Sequence, residues 1–345
     1  MESKNKKNRL TIIDVAREAG VSVSTVSSVI NKSRFVAEEK EIKVRETISK
    51  LNYKINPIAR GLRKKSLRAV GVVVPDISEV FYSQVIAGME EVARKRNYTL
   101  ILCCTFYNTE EENRQIDILL NQSVDGIIFF SGSDNSKIIK KVKEYGTPFV
   151  LTDREINIKS IPAVLIDNKS AMENVVDYLV KRGHRRIAYI TMQYNNQTTV
   201  KNRYLGYCNG LKRHGIELDE KLILLDDEIL FNPMKSAYNL VDNLLKEGPI
   251  PTAFIVIADF LAIGAMKAIR NNGFQIPQDI SIIGFNNESI CDYMYPPLTS
   301  VKQPKKLMGN TAMNLLLDSI EGIRIANKKI LLPVEIIERD SVIKI

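Results

Sequence analysis

Histidine and cysteine are scarce in this chain, two and four residues in 345. His184 and His214 lie far apart in turns between helix-like and strand-like segments, and Cys103, Cys104, Cys208 and Cys291 form no C-x-x-C pair. No metal-ligand cluster is therefore read, the thiols read as reduced core residues, and both histidines as structural. No cofactor is expected either. Val70-Gly-Val-Val-Val-Pro75 runs straight into Asp76 without a glycine-rich phosphate loop, which argues against a dinucleotide or nucleoside triphosphate site. No nucleophile–base pair stands out, so the chain does not read as an enzyme. No apolar run reaches the ~18 residues of a membrane span. Residues 1–9 are polar and basic where a secretory signal would be apolar, so a cytoplasmic location and no membrane partner are expected.

Charge is present but unevenly placed. The net charge is +9, and residues 1–68 carry 17 Lys and Arg against 7 Asp and Glu. The remaining residues hold 32 against 33, so the positive excess belongs to the first fifth of the chain. A small basic unit beside a near-neutral large one is the electrostatic footprint of nucleic-acid binding.

That basic unit is patterned as well as charged. In Thr11–Asn31, Thr11 caps a helix, Asp14 suits its positive end, and Ile12, Val15, Ala16 and Ala19 recur at helical spacing. Gly20 ends this helix and Ser22 caps a second, on which Val26, Val29 and Ile30 share one face. Val23, Ser24, Ser27, Ser28 and Asn31 fall largely on others, giving a short, hydroxyl-rich surface able to sit deep in a major groove. Two short helices about a glycine turn make a helix-turn-helix. A third helix is expected over Glu38–Leu51. A basic segment over 56–65 then opens with Pro57 at a first-turn position, is weakened by Gly61, and reads as a linker that is helical only when supported.

From Leu67 onward apolar strands alternate with amphipathic helices, the mark of parallel α/β sheets. Strands are expected at 69–74, 98–104, 126–130, 148–151, 163–166, 186–190, 253–257 and 280–285, with helices between them, a helix at 307–320 and one last strand at 332–339. A faint internal repeat relates Gly88–Leu100 to Gly206–Leu218 and suggests two similar lobes, the second restarting at Ala163. Ligands in such sheets sit beyond the carboxyl ends of the strands. Polar and aromatic candidates there are Asp76, Phe81, Tyr82, Asp153, Arg154, Arg203, Asp259, Asn286 and Asn287.

TIIDVAREAGVSVSTVSSVIN, followed by LNYKINPIARGLR, resembles the LacI family of bacterial repressors, and the resemblance runs essentially end to end. It implies an all-α helix-turn-helix DNA-binding headpiece joined to an α/β two-lobed domain like periplasmic binding proteins of type I. The headpiece is expected at 1–65 with a hinge helix at about 56–65, and the effector and dimerisation domain at 66–345. The N-lobe is expected at about 66–162 plus 291–321, and the C-lobe at about 163–290 plus 322–345. The resemblance implies DNA contacts at Thr11, Val23, Ser24, Thr25, Ser28, Asn31, Tyr53, Asn56, Ala59, Arg60 and Leu62. Val23, Ser24 and Ser28 would read bases, and Leu62 would wedge into the minor groove. The effector pocket is expected from Asp76, Phe81, Tyr82, Arg154, Arg203, Asp259 and Asn286; the resemblance bears on the last three, and the others stand at strand ends.

Three positions depart from the family pattern. Ser28 stands where many members have arginine, Ala258 replaces the Asn of an Asn-Asp pair, and Asn286 replaces an Asp after Gly-Phe. An unusual operator and a rewired pocket are expected from these. The expected partners are a roughly palindromic double-stranded DNA operator, a sugar or sugar derivative as effector, and a second copy of the chain. Two alternatives stay open: a catabolite-control-type regulator driven by a partner protein, and a solute-binding protein.

Overall fold

The computed structural model describes residues 10–31, 34–51, 53, 66–130, 136–153, 161–193, 198–323 and 329–345. They form two compact units that divide between Leu67 and Arg68, two residues beyond the expected boundary.

The first unit is helical. Helices α1 (Ile12–Ala19), α2 (Val23–Asn31) and α3 (Glu38–Lys50) enclose their own core of Val15, Ala16, Ala19, Val26, Val29 and Val44. Gly20 takes the left-handed conformation, φ 63°, that lets the chain leave α1 and enter α2.

The second unit holds two six-stranded sheets. In chain order its elements are β1 (Ala69–Val74), α4 (Val80–Lys95), β2 (Thr99–Cys104), α5 (Thr109–Asn121), β3 (Gly126–Phe129), α6 (Ser136–Glu144), β4 (Phe149–Thr152) and β5 (Ala163–Ile166). They continue as α7 (Asn168–Val180), β6 (Ile187–Thr191), α8 (Thr198–Arg213), β7 (Ile223–Leu225), α9 (Pro233–Glu247), β8 (Ala253–Val256), α10 (Asp259–Asn271) and β9 (Ser281–Asn286). The last are β10 (Thr299–Lys302), α11 (Lys305–Ile320), β11 (Lys329–Leu332) and β12 (Glu335–Ile337). Strand order is 11-5-4-3-1-2 in one sheet and 12-10-9-8-6-7 in the other. The pairings are parallel except for β10 with β12. β1 and β8 are buried along their whole length because helices cover both faces, which is why they read as unbroken apolar runs.

Strand pairing corrects the expected lobe limits. Ala163–Ile166 pairs with β4, so it closes the first lobe instead of opening the second. Thr299–Lys302 pairs with β9 and belongs to the second lobe. The single last strand expected at 332–339 is two: Lys329–Leu332 joins the first sheet and Glu335–Ile337 the second. Pro333 between them lacks the N–H that a continuous ladder needs. The chain therefore passes between lobes three times, at Asp167, at Gln303-Pro304 and at Pro333-Val334.

Helix pairs brace each lobe, and the internal repeat marks where they meet. α4 packs on α11, with Gly88 against the Lys306 carbonyl and Gly309 against the Val85 carbonyl. α7 packs on α8, where Gly206 lies against the Lys169 carbonyl. A Cβ at any of the three would overlap backbone, so glycine sets the close approach of the helices.

Candidate functional site

The headpiece presents α2 as a short polar ridge. Ser22 starts it: its hydroxyl oxygen accepts from the Thr25 N–H at 3.1 Å and contacts the hydroxyls of Ser24 and Thr25 at 2.7 and 2.8 Å. Ser24 is exposed, while Thr25, Ser27 and Ser28 are half-buried. Val23, expected to read bases, is half-buried and packs along the fringe of the headpiece core. Tyr53 also packs against that core, its N–H donating to the Ile48 carbonyl at 3.0 Å. Thr11 directs both its N–H and its hydroxyl to the Asp14 carboxylate, at 2.8 and 2.7 Å. Those bonds hold Asp14 below the usual carboxylate range and give Thr11 a capping role. Asn31 ends α2. Asn56, Ala59, Arg60 and Leu62 lie outside the described residues, with the rest of the expected hinge helix.

The second unit contains a cleft of about 380 Å³, within the range of small-molecule sites. Both sheets supply it from their carboxyl ends. Asp76 follows β1, Tyr107 follows β2 and Asp153 follows β4, while Met192, Ile257 and Asn286 stand at the ends of β6, β8 and β9. Asp153, Tyr107 and Asn286 all have positive φ, 68°, 60° and 109°. Backbone strain of this kind in non-glycine residues concentrates at binding sites, where the surrounding structure holds it in place.

Of the expected pocket residues, Asp76, Phe81, Tyr82, Arg203 and Asn286 line the cleft. Phe81 and Tyr82 meet edge-on with ring centroids 5.3 Å apart, and Tyr82 meets Phe130 likewise at 5.4 Å, so both rings are buried wall. Arg203 is 7% exposed. Its Nε donates to Asn168 Oδ1 at 2.8 Å and one terminal nitrogen to the Ile257 carbonyl at 2.7 Å. The guanidinium lies 3.7 Å from the centre of the Phe285 ring. Arg154 lies outside the described residues.

Asp259 is corrected. It is wholly buried behind the cleft wall, where its carboxylate accepts from the Ser300 hydroxyl at 2.6 Å and the Glu288 N–H at 2.7 Å. Burial pushes its pKa up to about 6 in spite of those bonds. It organises the loop after β9 and does not line the cleft. Sequence reasoning missed Glu79, Tyr107, Phe231, Phe260, Glu288 and Gln303, all lining residues. Glu79 accepts from the Tyr107 hydroxyl, which joins the ends of β1 and β2 across the cleft rim.

The histidines hold structure together. His184 is buried and bonds the Ile343 carbonyl through Nε2 at 3.0 Å, which pins the C-terminal segment, and burial lowers its pKa. His214 meets Asp177 at 2.8 Å. All four cysteines are free. Among the described residues no group of three His, Cys, Asp or Glu is placed to hold a metal, and no helix is long and apolar enough to cross a membrane.

Residues 11–56 match "Bacterial regulatory proteins, lacI family", and residues 68–340 match "Periplasmic binding proteins and sugar binding domain of LacI family". The chain is 36% identical to catabolite control protein A of Priestia megaterium over 307 residues, 89% of this chain and 91% of that protein. The lac repressor dimer bound to operator and the anti-inducer ONPF superposes with a TM-score of 0.84 at 26% identity, covering 97% of this chain and 100% of that one. The regulator CelR in complex with cellobiose gives 0.73 at 28% identity over 96% and 100% of the two chains. A helix-turn-helix on its own core, a two-lobed parallel α/β unit and these matches lead to one conclusion: the chain belongs to the LacI family of DNA-binding bacterial transcription regulators.

Proposed function

We propose that this regulator acts as a homodimeric repressor whose paired headpieces bind a roughly palindromic operator, and that a sugar-class ligand in the inter-lobe cleft sets its operator affinity. The observation that carries this reading is Arg203. It is a buried guanidinium facing the cleft, steered by a side-chain amide and a backbone carbonyl and backed by an aromatic face. Such a group offers fixed N–H donors to hydroxyl oxygens, and pre-orientation lowers the entropic cost of binding. Closure of the two lobes on a ligand moves the crossings at Asp167, Gln303-Pro304 and Pro333-Val334, and with them the start of the first lobe, which follows the headpiece in the chain.

The test is a gel-shift assay on operator DNA with and without ligand. Arg203→Ala is expected to retain operator binding and lose the ligand response. An unchanged response would remove the cleft from the mechanism. Similarity to catabolite control protein A favours a second reading, control by a partner protein. On that reading, charge reversal on the first lobe impairs regulation and Arg203→Ala does not.

A further inference from the structure

We infer that Lys305, Glu288 and Gln84 form a latch between the two lobes, and that this latch sets the operator affinity from which an effector works. The inference rests on the reading that the arrangement of the lobes governs operator binding. Lys305 is the first residue of α11 and Gln84 lies on α4, so both belong to the first lobe. Glu288 follows β9 of the second. Four polar contacts cross between the lobes here. Glu288 Oε1 lies 3.0 Å from the Lys305 ammonium, and Glu288 Oε2 accepts from Gln84 Nε2 at 3.1 Å. The same ammonium donates to the Asn286 and Asn287 carbonyls at 2.8 and 3.3 Å. The Lys305 and Glu288 side chains are 7% and 3% exposed, so salt screens the pair far less than it screens a surface ion pair.

Both ends of the latch are firmly mounted. On the second lobe, the Glu288 N–H donates to the Asp259 carboxylate at 2.7 Å. The Ser300 hydroxyl, itself bound to Asp259, accepts from the Asn287 N–H at 3.0 Å. On the first lobe, the close approach of α4 and α11 at Gly88 and Gly309 makes the two helices carry Gln84 and Lys305 as one body. Hydrogen bonds are lost by about 3.6 Å, so a relative shift of less than about 1 Å parts these contacts together. Contacts that part together give two states in place of a continuum. The latch also stands directly after Gln303-Pro304, one of the three links about which the lobes turn. Made, it holds the lobes in the arrangement described; broken, it frees them to turn. An effector that needs another arrangement must separate two charges held away from water, which strands each without its partner. An effector that fits this arrangement meets lobes already in position.

Hydrogen exchange and operator binding, measured on the full-length protein with no sugar added, test the latch. Lys305→Met keeps the bulk of the side chain and removes the ammonium. In this variant the amides of residues 81–86, 286–292 and 305–309 are expected to exchange at least about tenfold faster, with much smaller changes in β1 and β8, because the lobes part before either unfolds. Operator affinity is expected to shift at least about fivefold, and Gln84→Ala is expected to shift it in the same direction. Opposite shifts overturn the latch. An equal rise in exchange across β1 and β8 indicates general loosening and overturns it too, as does unchanged exchange; both of these leave the lobe-closure reading standing. Fast exchange confined to the contact, with operator affinity unchanged, sinks the inference and that reading together. The double variant K305M/E288Q leaves no charge of the pair buried alone. Relative to K305M it is expected to regain melting temperature and to keep the fast exchange. Slow exchange restored in the double variant would show that the pair only balances charge, and overturns the latch. Where K305M fails to fold, the double variant is compared directly with the wild type.

Discussion

Asp259 is surrounded by donors and shut off from solvent. The Ser300 hydroxyl, the Glu288 N–H and the Cys291 thiol all serve its carboxylate, yet burial dominates and lifts its pKa from 3.8 to about 6. Between those two values the folded chain keeps a proton that the unfolded chain releases. The group's contribution to stability is therefore full below about pH 4, falls as pH rises to about 6, and is flat above that. Asp259→Asn is expected to remove this decline, about 3 kcal/mol in extent, from the pH profile of thermal unfolding between pH 4 and 6. A decline of equal size in the variant would place its cause elsewhere. The same residue shows the limit of sequence reading at this scale. Its position after Ile257-Ala258 was legible, but whether the side chain faced the cleft or the protein behind it depended on Ser300 and Glu288, 41 and 29 residues further along the chain. Arg203 was legible because it opens the helix after a strand, at the sheet end where ligands bind, and because the family resemblance implies it. Glu288, Gln303 and Lys305 were not, because no local period links three residues that meet only when the chain passes between lobes.

At the scale of elements, helix packing leaves the sharpest mark. Gly309 of α11 lies against the Val85 carbonyl of α4, and the helices have no room for a methyl group between them. Gly309→Ala raises helix propensity, so an isolated helix would gain from it. The tertiary clash reverses the sign, and a loss of about 1–3 kcal/mol is expected in denaturant unfolding. A gain would show that the two helices can separate at no cost. Elements built from long apolar or strongly amphipathic stretches were legible to within a residue or two. Helix α9 and the three-residue strand β7 before it were overlooked, although Asn232-Pro233 is a good helix start. β10 and β11, reading TSVK and KILL, lack the wholly buried apolar run that made β3, β5 and β8 legible at the same length.

At the scale of the molecule, the charge asymmetry assigns the two tasks to different parts. The excess of positive charge lies in residues 1–68, and a separate apolar core lies beneath it. Operator affinity is expected to fall on the order of a thousandfold between 50 and 200 mM salt, as counterions return to the DNA. Ligand affinity measured on residues 68–345 alone is expected to change little over the same range. A steep salt dependence of ligand binding would contradict this division of labour. Composition made the headpiece and its DNA partner legible. It did not reveal the lobe limits, because lobe membership follows strand pairing and the order of the chain does not.

The three crossings between lobes also impose an order of maturation. The headpiece core closes with residues from Val15 to Val44, all ahead of the first lobe in the chain. The first lobe, begun at Ala69, waits for α11 and for its edge strand at Lys329–Leu332, which follow most of the second lobe in the chain. A nascent chain therefore carries a closed headpiece core while the first lobe is still incomplete. Neither lobe can be cut out or exchanged as one continuous piece of gene.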